Sequence, residues 1–191
     1  MIVDGERYDA LDEWTADVLL RDPLPEHSEA LTDEMVPYQR TPTRVVLALA
    51  DYLGTNRDGV FYDIGGGVGE LAILIHLLTG MTAKGIEIEP AFCVYGRRLI
   101  AGLNLRGVEL INADARDADL SNGAVFFMYT PFRGGILTTV IGRLHEIAAR
   151  RTITIATLGP CTLQVSRETW VRPAIDGPID AKHLAIFTTT C

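Results

Sequence analysis

The sequence predicts a doubly wound α/β fold, with a sheet of five parallel strands closed by a C-terminal antiparallel hairpin and preceded by an N-terminal helical cap. From Val60 onward, short apolar runs alternate with stretches whose apolar residues recur at helical spacing, and parallel strands need crossover connections of that kind. The first run, Val60-Phe61-Tyr62, enters a loop with glycine at positions 65, 67 and 69, where backbone must come close to something small. Two later extended stretches, 169–175 and 184–190, are joined through Asp176-Gly177-Pro178 with no room for a helix, which makes them a hairpin.

Each element has its own signal. Residues 1–40 are acidic and weakly patterned; Leu11, Trp14 and Val18 mark one amphipathic helix at about 11–20, and Pro23, Pro25 and Pro37 supply turns. This segment reads as a cap or lid on a single domain of residues 41–191. Thr41-Pro42 reads as the N-cap and first residue of a helix through Val45, Val46, Leu49 and Leu53. Strands are expected at 60–64, 83–88, 108–113, 124–129 and 152–158, with helices near 70–79, 91–103 and 135–149. In the last helix Ile136, Leu137, Val140, Ile141, Leu144 and Ile147 recur as one buried face.

Composition narrows the function classes. A chain of 191 residues suits one domain, which buries about 70% of its unfolded surface and needs no disulfide staple. Cys93, Cys161 and Cys191 have neither paired nor C-x-x-C spacing, so reduced thiols and no metal site are expected. Asp4, Glu6, Asp9, Asp12, Glu13 and Asp17 argue against a signal or transit peptide, and no apolar run is long enough to span a bilayer. A cytoplasmic protein without membrane contact is the expectation. Net charge is −8 and the sequence pI is near 4.9, with Arg97-Arg98 and Arg150-Arg151 as the basic pairs. Nucleic acid is therefore disfavoured as a partner. The acidity suits either a cationic, lysine-bearing substrate or simple solubility.

Ligands of open α/β sheets sit beyond the carboxyl ends of the strands, where strand order reverses. Gly65, Gly67 and Gly69 follow the first strand, Glu87 lies near the end of the second and Asp114 follows the third. A dinucleotide fingerprint would need its third glycine where Glu70 stands, so a dehydrogenase is disfavoured. The loop Asp63-Ile64-Gly65-Gly66-Gly67-Val68-Gly69 instead resembles the S-adenosylmethionine loop of class I methyltransferases. For S-adenosyl-L-methionine, the glycines would admit the methionine moiety and Asp63 would offset its ammonium. Glu87 would accept both ribose hydroxyls, and Asp114 would accept from the adenine amino group. Glu89 competes with Glu87 but also suits a helix start beside Pro90; Glu87 is favoured by its offset of 22 residues from Gly65. Asp117 and Asp119 compete with Asp114, which directly ends an apolar run. His76 and His145 read as packing or surface residues, leaving no visible catalytic histidine.

From about Pro37 onward the chain resembles the class I S-adenosylmethionine-dependent methyltransferases, which have a Rossmann-like sheet, and more closely the non-SET histone lysine methyltransferases. Their loop D-[LI]-G-x-G-V-G-[QE] matches residues 63–70, and their G-[VI]-E segment matches Gly85-Ile86-Glu87. The tyrosine and threonine that help enclose the cofactor in that family correspond to Tyr38 and Thr41. Val36-Pro37-Tyr38 also resembles the lysine methyltransferases that act on ATP synthase subunit c. After the fourth strand the pattern departs. The histone enzymes place asparagines there and adenine-modifying enzymes place [DNS]-P-P-[FY], whereas this chain has Tyr129-Thr130-Pro131-Phe132. Pro131 biases Thr130 toward an extended backbone that would aim its carbonyl into the site, with Tyr129 and Phe132 walling an ammonium-bearing acceptor. The other reading is that residues 126–129 simply end a buried strand. The sequence carries no basic nucleosome-binding tail, which disfavours histone.

Three functions remain open at this level. The first is a methyltransferase acting on a protein lysine or another amine, with Tyr129, Thr130 and Phe132 as its catalytic candidates. The second is a methyltransferase of a small metabolite. The third is a non-catalytic cofactor-binding module of the same fold.

Overall fold

A computed structural model describes residues 8–20, 22–26, 31–55 and 58–189. Part of the expected cap and the Thr190 end of the expected hairpin lie outside the described residues. Strands β1 (Val60–Ile64), β2 (Thr82–Glu87), β3 (Val108–Asn112), β4 (Gly123–Tyr129) and β5 (Thr154–Leu158) are parallel. Strand β7 (Ala185–Thr189) joins β5 antiparallel, and β6 (Val171–Pro173), a short strand ending in proline, pairs antiparallel with β7 at the sheet edge. The order β3-β2-β1-β4-β5-β7-β6 reverses between β1 and β4, so the switch point lies at their carboxyl ends.

Helices α2 (Thr43–Leu53), α3 (Glu70–Thr79) and α4 (Pro90–Gly102) cover one face, while α5 (Gly134–Ala148) and α6 (Cys161–Val165) cover the other. Strand β4 explains why its sequence reads as one apolar run. Val125 and Phe127 enter the first core, and Phe126 and Met128 enter the second, because successive side chains point to opposite faces and both faces are covered. The β3–β4 connection, 113–122, contains no helix. Helix α6 was not expected from the sequence; at five residues it is too short to show a periodicity.

Two expectations near the N-terminus need correction. Helix α1 (Ala10–Leu19) forms, but Leu11, Trp14 and Val18 are exposed while Asp12, Thr15 and Leu19 are buried. Polar anchoring chose that face: Asp12 Oδ1 accepts from Thr43 N at 2.5 Å, and Thr43 Oγ1 donates to Thr15 Oγ1 at 3.1 Å. Burial raises the Asp12 carboxyl, but the bonds from the Thr43 and Asp9 amides outweigh it and leave the group below its ordinary value. The same bond corrects the start of α2. Pro42, not Thr41, is its N-cap and supplies no side-chain acceptor, so Asp12 of α1 caps the helix in its place. No helix among the described residues is long and apolar enough to cross a membrane.

Candidate functional site

Beyond the carboxyl ends of β1, β2 and β4 lies a cavity of about 210 Å³. Asp63, Gly65 and Gly66 enter its wall from the end of β1, Glu87 and Glu89 from the end of β2, and Asp114 from beyond β3. Tyr129, Thr130, Pro131 and Phe132 close the β4 side, and Tyr38 and Thr41 reach it from the N-terminal segment. Every sequence candidate except Gly67 and Gly69 therefore lines one cavity. Gly69 is the N-cap of α3. Gly67 acts from behind the wall: it has φ +54°, and a Cβ there would overlap the Tyr38 ring. Gly65, with φ +81°, is pressed in the same way against Pro131.

The glycine loop is held by its own backbone. Gly65 N and Gly66 N donate to Ile86 O at 2.8 and 3.0 Å, and Gly67 N donates to Glu87 Oε2 at 2.8 Å. Glu87 Oε1 accepts from Glu89 N at 2.8 Å, so this buried carboxylate ties the loop to the start of α4. Each oxygen carries a second lone pair, which leaves acceptor capacity for a hydroxyl. Glu89 is the capping residue: its side chain accepts from Ala91 N at 3.0 Å at the head of α4.

Charge in the cavity is one-sided. Asp63, Glu70, Glu87, Glu89 and Asp114 line it, and no lysine, arginine or histidine is among the described lining residues. Burial, aided by the neighbouring Glu87, pushes the Asp63 carboxyl up to about 8. Asp114 behaves in the opposite way. Arg116 grips both of its oxygens at 2.6 to 3.1 Å and holds it below the ordinary carboxylate range, so an adenine amino group would share it with that guanidinium. The Tyr38 ring lies 5.4 Å from Phe92, and its buried hydroxyl has no hydrogen-bond partner among the described residues. Burial keeps that hydroxyl well above its ordinary value, hence a proton donor.

The segment after β4 departs from expectation at Thr130. Its φ is +35°, not extended, and Oγ1 donates to Leu158 O at 3.0 Å and accepts from Cys161 N at 3.2 Å. These two bonds across β5 and α6 hold the strained backbone and commit the hydroxyl to the scaffold. Tyr129 is half-buried at the cavity. Phe132 is buried, packs in the second core and bridges to Met35. Beside that bridge Val36 N donates to Pro131 O at 3.1 Å and Arg133 N to Glu34 O at 2.8 Å. The Glu34 carboxylate caps α5 through Gly135 N and Ile136 N, a role with no local sequence signal because 101 residues separate the partners.

Neither a protein-family model nor a curated protein matches this chain. Solved structures do match. An RNA methyltransferase from Salinibacter ruber, in complex with S-adenosyl-L-homocysteine, aligns with a TM-score of 0.61 at 20% identity over 79% of this chain and 94% of that one. The fold is that of the class I S-adenosylmethionine-dependent methyltransferases. A point mutant of MtNAS, in complex with S-adenosylmethionine, shares the methyltransferase fold with a TM-score of 0.57 and 21% identity. That alignment spans 78% of this chain and 62% of the other, so the present chain covers about three fifths of that protein. A putative methyltransferase, yhhF, from Escherichia coli gives 0.62 at 16% identity over 88% and 91%. None of these three is described as acting on a protein lysine. Within the methyltransferase fold, the cavity occupies the switch point between β1 and β4, where such sheets take their ligands.

Proposed function

We propose that the protein is an S-adenosyl-L-methionine-dependent methyltransferase whose acceptor is an amine, foremost a protein lysine. The observation that carries this reading is a cavity walled by carboxylates with no cation among its described lining residues, and with Tyr129 and Phe132 on its β4 side. The residues fit the cofactor. Asp63 would meet its ammonium and the Tyr38 hydroxyl, unpartnered among the described residues, its carboxylate; Glu87 would accept from the ribose and Asp114 from the adenine amine. Bound there, S-adenosylmethionine would supply an electrophilic methyl on its sulfonium. The chain's own part is to position the two reactants and exclude water. A lysine, with a free pKa of about 10.4, must first shed a proton, and desolvation against Tyr129 and Phe132 favours its neutral amine. With no histidine in the described lining, positioning rather than a dedicated base supports the transfer.

The RNA acceptor of the Salinibacter protein is not carried over, because no lysine or arginine among the described lining residues offers a phosphate backbone a grip. Incubation with isotopically labelled S-adenosylmethionine and fractionated cell extract tests the acceptor class. Label in protein that survives as methyl-lysine is the expected result; label confined to small molecules overturns the lysine assignment. Tyr129→Ala should lower methyl transfer by about 10- to 100-fold with the cofactor dissociation constant held within about twofold, since its contact is made to the acceptor. Equal losses in both would move Tyr129 to the cofactor side. Glu87→Ala should weaken S-adenosylhomocysteine binding by about 1.5–3 kcal/mol in calorimetric titration, the scale of a hydrogen bond to a charged group. Unchanged affinity would remove Glu87 from the site.

A further inference from the structure

We propose that Arg40 is a positioning residue that locks the N-terminal segment onto the glycine-loop helix and thereby fixes the Tyr38 and Thr41 wall of the cofactor cavity. The inference deepens the proposed function and rests on the cavity taking S-adenosylmethionine. Arg40 Nε and Nη2 donate to the two carboxylate oxygens of Glu70 at 2.8 and 2.5 Å. Nη1 and Nη2 of the same guanidinium reach the Asp12 carbonyl at 3.3 Å. The Arg40 carbonyl in turn accepts from the Tyr8 hydroxyl at 2.5 Å. Glu70 is the first residue of α3, follows Gly69 directly, and is a buried part of the cavity wall. Residue 8, helix α1 and the glycine loop therefore converge on one residue, which stands two positions from Tyr38 and one from Thr41.

A half-buried ion pair is a weak source of stability, because removing two charges from water offsets much of their attraction. Its distinctive contribution is orientation. The planar guanidinium fork meets a carboxylate at two points and fixes direction as well as distance, which a lysine cannot do. Arg40 also neutralises the Glu70 carboxylate, whereas no cation among the described residues pairs with Asp63. Among the wall carboxylates at the methionine end, Asp63 is then the one left for the ammonium, so Arg40 also sets which carboxylate the cofactor meets.

The test uses the full-length protein, S-adenosylhomocysteine as probe, and a temperature well below unfolding. Arg40→Gln should raise the dissociation constant at least tenfold and speed amide exchange across residues 8–20 and 31–40, with circular dichroism unchanged. Glu70→Gln should do the same, and the double variant should be no weaker than either single one, because the two side chains act as a unit. Arg40→Lys should recover part of the affinity. Tyr8→Phe, at an exposed ring that leaves the fold intact, should shift affinity in the same direction by about threefold, the scale of one hydrogen bond. A lowered melting temperature with parent-like affinity, or additive losses in the double variant, would overturn the proposal by making the pair merely structural. If the parent itself takes up no S-adenosylhomocysteine, the reading of the cavity fails at that first titration and this proposal falls with it.

Discussion

Gly67→Val is expected to raise the dissociation constant for S-adenosylhomocysteine by at least about 30-fold while the circular dichroism of the α/β fold persists. Gly67 sits at φ +54°, where a side chain costs about 1–3 kcal/mol of backbone strain. Its new Cβ would also overlap the Tyr38 ring, and forcing extra carbon into a packed contact costs about 1–3 kcal/mol more. Together these amount to about 2–6 kcal/mol, or about 30- to 10⁴-fold. The loop can relax by leaving its present path, releasing its bond to Glu87 and turning Tyr38 away. Binding must then restore the path, whereas the two cores, built from side chains on β1, β4 and the covering helices, do not require it. Parent-like affinity in this variant would mean that the loop is not the cofactor site.

The second large effect belongs to Asp63. Its carboxyl is raised from an ordinary 3.8 to about 8, so it is neutral at pH 7, whereas an ammonium partner favours the carboxylate. Cofactor binding at pH 7 should therefore release close to one proton, measurable by calorimetry in two buffers of different ionisation enthalpy. Affinity should climb by close to tenfold per unit between about pH 5 and 7. It should level near 8, where the carboxyl is already ionised and an α-amino group, at about 7.7–8.0, begins to lose its charge. Asp63→Asn should abolish the proton release and weaken binding by about 1.5–3 kcal/mol. Stability moves the other way. Between 3.8 and about 8 the folded chain binds the Asp63 proton more tightly than the unfolded chain does. The stability this group contributes is thus fully present below that window and falls by up to about 1.4 kcal/mol per pH unit across it. Without cofactor, Asp63→Asn should consequently melt higher than the parent at pH 8. Affinity independent of pH, with no proton released, would sink the assignment of Asp63 to the ammonium.

What the sequence disclosed follows from the range of the interactions involved. Strand β1 and helix α3 have the expected limits, because apolar periodicity and the glycine punctuation of 65, 67 and 69 are local signals. The cavity wall was legible for the same reason: topology brings the ends of β1, β2, β3 and β4 together once a doubly wound sheet is granted. The misses are interactions between distant positions. Asp12 capping α2, Glu34 capping α5 and Arg40 gripping Glu70 each join an acidic N-terminal segment to the body, and no spacing rule links such partners. The outward placement of Leu11, Trp14 and Val18 has the same origin, because the bonds of Asp12 and Thr15 decide which face of α1 turns inward. At Thr130 the local rule for a residue before proline was overruled by two hydrogen bonds to β5 and α6.

Strand β6 has a bearing on how this chain behaves among its own copies. Ala174 N donates inward to Ile186 O, so by the alternation of a strand the amides of residues 171 and 173 face away from the sheet. Residue 173 is proline and has no amide proton, and Val171 N is turned back onto Glu168 O at 3.4 Å. The outer rim of β6 therefore presents no donor with which another polypeptide could continue the ladder, and three residues are too few to template one. A sheet with β4, one apolar run, at its centre is thus closed on this flank to the strand-by-strand growth that leads to aggregates.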